Sequence, residues 1–240
     1  MTDSPYKSRS APRKAPRQAR SLATVSAIVE AAARILEERG HEGFSTNAVA
    51  EKAGVSVGSL YQYFPRKDAL IGALILRQTM SLVENAESAA DQPTSEEAFS
   101  ALIDPCVHQQ LERPALARLL DYEEGRLPLD AETERVKTRF FELTRDTLLR
   151  PDMPPQPDID VAARDVVAII KGMIDAAGEH GEEDRTGLAL RVKRAAIGYL
   201  KTASDGGWSQ KTSSARLRAA ASLARSEAVQ HPQSRKTSCD

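Results

Sequence analysis

From Val25 onward, apolar residues recur at intervals of three and four. Val25, Ile28, Val29, Ala32, Ile35 and Leu36 line one side of a helix from Thr24 to Arg39, and Gly40 stops it. A narrower stripe follows at Val49, Ala50 and Ala53. Ser45 or Thr46 can cap that second helix, and Gly54 ends it because glycine tolerates the left-handed conformation. A third helix begins after Ser56, with Leu60 and Phe64, four apart, on its buried face. Phe44 and Leu60 are expected in the small core. Two short helices joined by a glycine-centred turn are the parts of a DNA-reading helix-turn-helix.

The other face of the third helix carries Gly58 and Gln62, flanked by Val57 with Tyr61 and by Ser59 with Tyr63. Gln62 can pair bidentately with an adenine edge, and Val57 can touch a thymine methyl. The hydroxyls of Ser59, Tyr61 and Tyr63 can donate to phosphate oxygens. A glycine inside a short helix costs ~1 kcal/mol relative to alanine, so Gly58 implies a close external approach to the backbone. The competing reading is a surface helix with two exposed tyrosines. Small Ala50 lets the third helix cross the second closely.

The strings TVSAIVEAAARILEERG and FSTNAVAEKAGVSVGSLYQYFPRKDAL resemble the TetR family of bacterial transcriptional regulators. The likeness covers roughly the first third of the chain after its basic start. It implies that Thr46 grips phosphate and that Asn47 reaches a base or phosphate. By the same resemblance Val57, Gly58 and Gln62 face bases, while Ser59, Tyr61, Tyr63 and Lys67 anchor the DNA backbone. Arg66 departs from the small polar cap common in relatives, which leaves the start of the fourth helix open.

Past Asp68 the pattern is helix after helix, with no alternating strand. The fourth helix is expected from Lys67 to Ala90. Thr94 and Glu97 have the form of a capping box opening a helix through Leu111, with Pro105 expected to kink or distort it. Pro114 starts a shorter helix that ends near Gly125 and Pro128. Asp130 caps the next, and Pro151, Pro154, Pro155 and Pro157 mark a loop. Two more helices are expected at 160–177 and 184–202.

The helix at 160–177 is apolar around much of its circumference, which implies burial on more than one side. Its packing residues can belong to a monomer core or to an interface. A helix-turn-helix reads a palindrome as a dimer with its reading helices ~34 Å apart, and the resemblance implies a four-helix interface from the last two helices of each subunit. Val166, Ile170, Ile174, Val192 and Ile197 are therefore expected in a homodimer interface.

Charge modifies this picture by its distribution. The net charge is -1, yet Lys7, Arg9, Arg13, Lys14, Arg17 and Arg20 precede Ser21 against Asp3 alone, and acidic runs lie further on. A basic arm of this kind can bind phosphate or remain solvated. With 28% charged and 41% hydrophobic residues, the 240-residue chain fits a folded protein with room for a second domain. No apolar run of ~18 residues could span a membrane, and no signal peptide is evident, so a cytoplasmic location is expected.

Catalytic chemistry finds no support in the pattern. Cys106 and Cys239 lack metal spacing, and His41, His108, His180 and His231 are scattered. Cys106 reads as a core residue, with redox sensing as the other reading. No phosphate loop, nucleophile elbow or zinc-protease motif occurs, and no cofactor or metal is expected.

The expected fold is all-α. A basic arm (1–20) leads into a three-helix, helix-turn-helix DNA-binding domain (21–66), a helical effector-binding and dimerisation domain (67–204) and a flexible tail (205–240). The expected function is a repressor that occludes a palindromic double-stranded DNA operator and is released by a small hydrophobic ligand. Phe99, Ile103, Cys106, Leu119, Phe140 and Met173 are the candidate pocket lining, with Tyr122 or His108 orienting the ligand. A ligand-independent regulator with a filled second domain is the main alternative; a helical enzyme would need convergent catalytic groups that are not displayed.

Overall fold

The computed structural model describes residues 19–204, which form nine α-helices and one short 3-10 helix. The arm up to residue 18 and the tail from residue 205, including Trp208, His231 and Cys239, lie outside the described residues.

α1 (Ala19–Gly43) follows a regular spiral until Gly40, whose φ of 62° breaks it. A β-carbon is disfavoured there, so the expected stop works through glycine's backbone freedom. Ser45, not Thr46, caps α2 (Thr46–Lys52), accepting from the Ala48 N–H at 3.1 Å. Gly54, at φ 68°, turns the chain, and the Ser56 hydroxyl accepts from the Ser59 N–H at 3.1 Å to start α3 (Val57–Tyr63). α4 (Lys67–Ala86) begins directly after Arg66, which makes no side-chain cap. Phe44, Val49, Leu60 and Phe64 are buried together, as expected from their spacing.

This first core does not end at α3. It takes in Ala69, Leu70, Leu74 and Ile75 of α4, and Leu116, Leu120 and Leu127 from α6 (Pro114–Arg126) and its end. α4 thus spans both halves of the molecule, since its later residues Val83 and Ala86 pack with Leu102, Phe140 and Leu143. Ion pairs reinforce the junction. Arg113, at the head of α6, makes two hydrogen bonds to Glu37 of α1 and lies 3.6 Å from Glu30, which also accepts from Arg77 of α4 at 3.0 Å. Burial pushes the Glu30 carboxyl up, but Arg34, Arg113 and Arg77 more than offset this and hold it below its ordinary range.

A 3-10 turn (Glu87–Asp91) leads to α5 (Ser95–Glu112), which opens with the expected reciprocal Thr94–Glu97 capping box and continues helically through Pro105. α7 (Ala131–Leu148) is capped by Asp130. After it, Arg150 donates to the carbonyls of Gln92 at 2.7 Å and Thr94 at 2.9 Å, while Asp152 accepts from the Ser95 N–H at 2.9 Å. These bonds pin the proline-rich loop to the start of α5. α8 (Ile159–Glu179) and α9 (Arg185–Ser204) complete the described chain, and none of the described helices is long and apolar enough to cross a membrane.

Four of the five expected interface residues sit elsewhere. Val166, Ile170 and Ile174 of α8 and Val192 of α9 are buried in the subunit's own core with Phe99, Ile103 and Val107 of α5, and Ile197 packs against it partly buried. Because α8 is apolar on several sides, periodicity alone does not say which stripe faces inward; α5 and α9 claim this one. The side left outward comprises Val161, Ala168, Gly172 and Ala176 of α8, and Gly198 of α9 is exposed as well.

Candidate nucleic-acid interface and ligand cavity

α3 buries Leu60 and Phe64 and thereby turns Val57, Gly58, Tyr61 and Gln62 outward. Val57 is 39% and Tyr61 41% exposed, large values for such apolar bodies. A β-carbon built on Gly58 would meet nothing within 4 Å, so no contact among the described residues requires glycine there.

The surrounding residues are held by neighbouring elements. The Tyr61 and Thr46 hydroxyls lie 3.1 Å apart, tying α3 to the first residue of α2, and those of Tyr63 and Ser21 lie 2.8 Å apart, tying it to α1. Such pairing fixes two rotatable side chains while leaving each hydroxyl further hydrogen-bonding capacity. Asn47 is exposed in the first turn of α2, and the partly buried Ser59 has its hydroxyl 2.8 Å from that of Ser56. The Lys67 ammonium stands 5.6 Å from the centre of the Phe44 ring, a cation–π contact that positions it at the start of α4. The structure thus braces Tyr61 through Thr46 and Tyr63 through Ser21, with Val57, Gly58 and Gln62 uncovered on α3.

A cavity of about 170 Å³ lies between α4, α5, α6, α7 and α8. Its apolar wall includes Ile75, Leu82, Phe140, Val167, Ile170 and Ile174. Gln78, Thr79, Gln109 and Gln110 add polar groups, and Asp121, Glu124, Lys137, Lys171 and Asp175 add charge. The Lys171 ammonium is 3.3 Å from Asp121, 3.3 Å from Glu124 and 3.0 Å from Asp175, while Lys137 is 3.0 Å from Glu124. Burial disfavours the Lys171 charge, yet the surrounding carboxylates outweigh it and raise its pKa. Burial also works against ionised Glu124, but the two lysines prevail and lower it. Asp175 goes the other way: burial, then the Asp121 charge, raise its pKa above the ordinary carboxylate value.

Of the expected lining residues, Cys106 and Phe140 are in this wall. Burial pushes the Cys106 thiol up to about 12, and its S–H donates to the Leu102 carbonyl at 3.2 Å; it is a wall group rather than a reactive thiolate. Phe99 is packed wholly in the α5–α8–α9 core. Ile103 and His108 border a separate groove against α9, where His108 lies near Glu112 and Arg185. Leu119 packs toward the first core, Tyr122 is 69% exposed, and Met173 lies on another side of α8. Five charged residues line this cavity, whereas the expected lining was apolar apart from Tyr122 and His108. Lys171 and Asp175, four apart on a largely apolar helix, were the available signal, but their meeting with Asp121 and Glu124 needs α6 to cross α8.

α6 connects the two regions. Leu120, Asp121 and Glu124 line the cavity, while Leu116 and Leu127 enter the first core. Buried Glu123 accepts from Arg126 at 2.6 Å and lies 3.3 Å from His41 at the end of α1.

Comparison with known proteins agrees with this architecture. Residues 28–74 match the family described as bacterial regulatory proteins, tetR family, and residues 95–200 match the tetracyclin repressor-like C-terminal domain. The nucleoid occlusion factor SlmA of Glaesserella parasuis is 31% identical over 83 residues, 35% of this chain and 41% of that protein. The chain therefore spans about two fifths of that relative's length. The HTH-type transcriptional repressor KstR of Mycolicibacterium smegmatis is 36% identical over 63 residues, 26% of this chain and 31% of its own. The transcriptional regulator FadR of Bacillus subtilis, solved in complex with stearoyl-CoA, superposes with a TM-score of 0.60 at 16% identity, over 73% of this chain and 96% of that one, a likeness of fold. With both halves matched in order and the braced reading helix in place, the chain belongs to the TetR family of DNA-binding, non-enzymatic bacterial regulatory proteins.

Proposed function

We propose that this protein represses transcription by covering a palindromic operator as a homodimer, and leaves the operator when a small molecule occupies the cavity. The observation that carries the DNA reading is the open α3 face, where Gly58 serves no packing purpose among the described residues and Val57 and Gln62 stand beside it. Val57, Gly58 and Gln62 contact bases, Thr46, Ser59, Tyr61, Tyr63 and Lys67 contact phosphates, and Asn47 reaches either. The repressor named among the relatives supports the direction of control.

Dimerisation uses the outward side of α8 and α9, where Ala168, Gly172 and Gly198 allow close helix approach. Release follows from α6, which faces the cavity on one side and α1 on the other. A ligand shifts the equilibrium only if it binds the non-fitting state more tightly, by ~3 kcal/mol for a hundredfold shift.

Selection of bound sequences from a random double-stranded DNA pool tests this reading. A palindrome should emerge with half-sites one helical turn apart, ~34 Å. Recovery of a lone half-site by a monomer would refute the dimeric operator model. A promoter fused to the recovered site should be silenced by the protein; stimulation instead would make it an activator.

A further inference from the structure

The charge balance of the cavity points to the kind of molecule it accepts. Asp121, Glu124 and Asp175 supply three carboxylates and Lys137 and Lys171 two ammonium groups, an excess of one negative charge. Both cations are already engaged: Lys171 by all three acids and Lys137 by Glu124. The Gln110 amide donates one N–H to Asp121 at 3.0 Å. An entering anion, such as the phosphates of an acyl-CoA, would meet carboxylates and no unengaged lysine in this lining. A neutral molecule would leave the imbalance as it is.

We infer that the effector is a protonated amine on a compact apolar body, its ammonium against Asp175 and Asp121 and its body against Ile75, Phe140 and Val167. This rests on the ligand-release reading above and assigns the chemistry of that site. The raised pKa of the partly buried Asp175 agrees with it, because burial and the Asp121 charge hold it up even with Lys171 3.0 Å away. Volume sets the size. About 170 Å³ compares with the roughly 150 Å³ apolar cavity known to hold benzene, so one ring with a short arm is accommodated.

Titration calorimetry of the full chain with benzylamine, benzyl alcohol and benzoate at neutral pH separates charge from shape. Benzylamine should bind at least about tenfold more tightly than either of the others. Asp175→Asn, and separately Asp121→Asn, should remove that preference, whereas Val167→Phe, which fills the cavity, should abolish binding of all three. Circular dichroism reports whether each variant is folded, and either Asn variant alone suffices. Equal or tighter binding of benzyl alcohol or benzoate overturns the amine assignment and leaves ligand release standing. Absence of binding by all three probes at millimolar concentration overturns both. Benzylamine that binds without loosening the operator upholds the amine site and overturns ligand release.

Discussion

Gly58→Ala separates the stability of α3 from its use. A glycine-to-alanine change inside a helix stabilises by ~0.5–1 kcal/mol when the new methyl meets nothing. Gly58 meets that condition, since the added β-carbon has no neighbour within 4 Å. α3 is only seven residues long and Gly58 is its second, so the lower end applies. For a chain of this size ~0.5 kcal/mol raises Tm by about 1–2 °C. On DNA the same methyl projects from the face flanked by Val57 and Gln62. If that face meets base edges, the clash should cost about as much as a mismatched base pair, ~1–3 kcal/mol, or roughly 5- to 150-fold in Kd. The assays are differential scanning calorimetry and fluorescence anisotropy with the selected operator at one salt concentration. A variant that is no less stable and binds the operator several-fold more weakly is the expected result. Undiminished affinity would refute the claim that DNA approaches this backbone, and a lowered Tm would refute the open space around it.

Other outcomes follow from the same structure. Gln62→Ala should relax base preference at one position of each half-site by ~1–3 kcal/mol, read by repeating the selection; an unchanged preference profile removes Gln62 from base reading. Deleting residues 1–18 should flatten the salt dependence of binding by ~0.9 in log-log slope for each phosphate that the arm neutralises, and an unaltered slope would make the basic arm a bystander. Gly172→Arg, on the outward side of α8, should give folded monomers in sedimentation, whereas Ile170→Asp should give unfolded material because Ile170 is buried in the subunit core. Asp175→Asn should raise Tm at neutral pH. The Asp175 pKa is raised in the folded state, so ionisation costs stability above its unfolded value, and the gain should vanish as pH falls below the ordinary carboxylate range; an equal gain at every pH would exclude this cause.

Local signals announced themselves in the chain. Gly40 and Gly54 adopt the left-handed conformation that ends a helix, and the caps at Ser56, Thr94 and Asp130 form as their spacing suggested. The outward face of α3 was legible too, because Leu60 and Phe64 sit four apart and a helix has only one opposite side. These are statements about residues within one helical turn of each other, or about one helix face against another.

The ligand site and the subunit interface were not legible in that way. Apolar spacing identifies α8 as a helix with several buried sides but carries no label for which side meets α5 and which stays outside, so Val166, Ile170 and Ile174 were expected at an interface and lie in the subunit's interior. The cavity joins side chains from five helices, and Lys171 meets Asp121 fifty positions away in the sequence. By itself, the sequence determined the helices, several of their caps and glycine stops and the outward face of α3, because those depend on short-range hydrogen bonding and periodicity, whereas α4 was expected to reach Ala90 and gives way to a 3-10 turn after Ala86. Tertiary structure alone decided the charge imbalance gathered at the cavity and the exposed side of α8, because both depend on where distant helices cross.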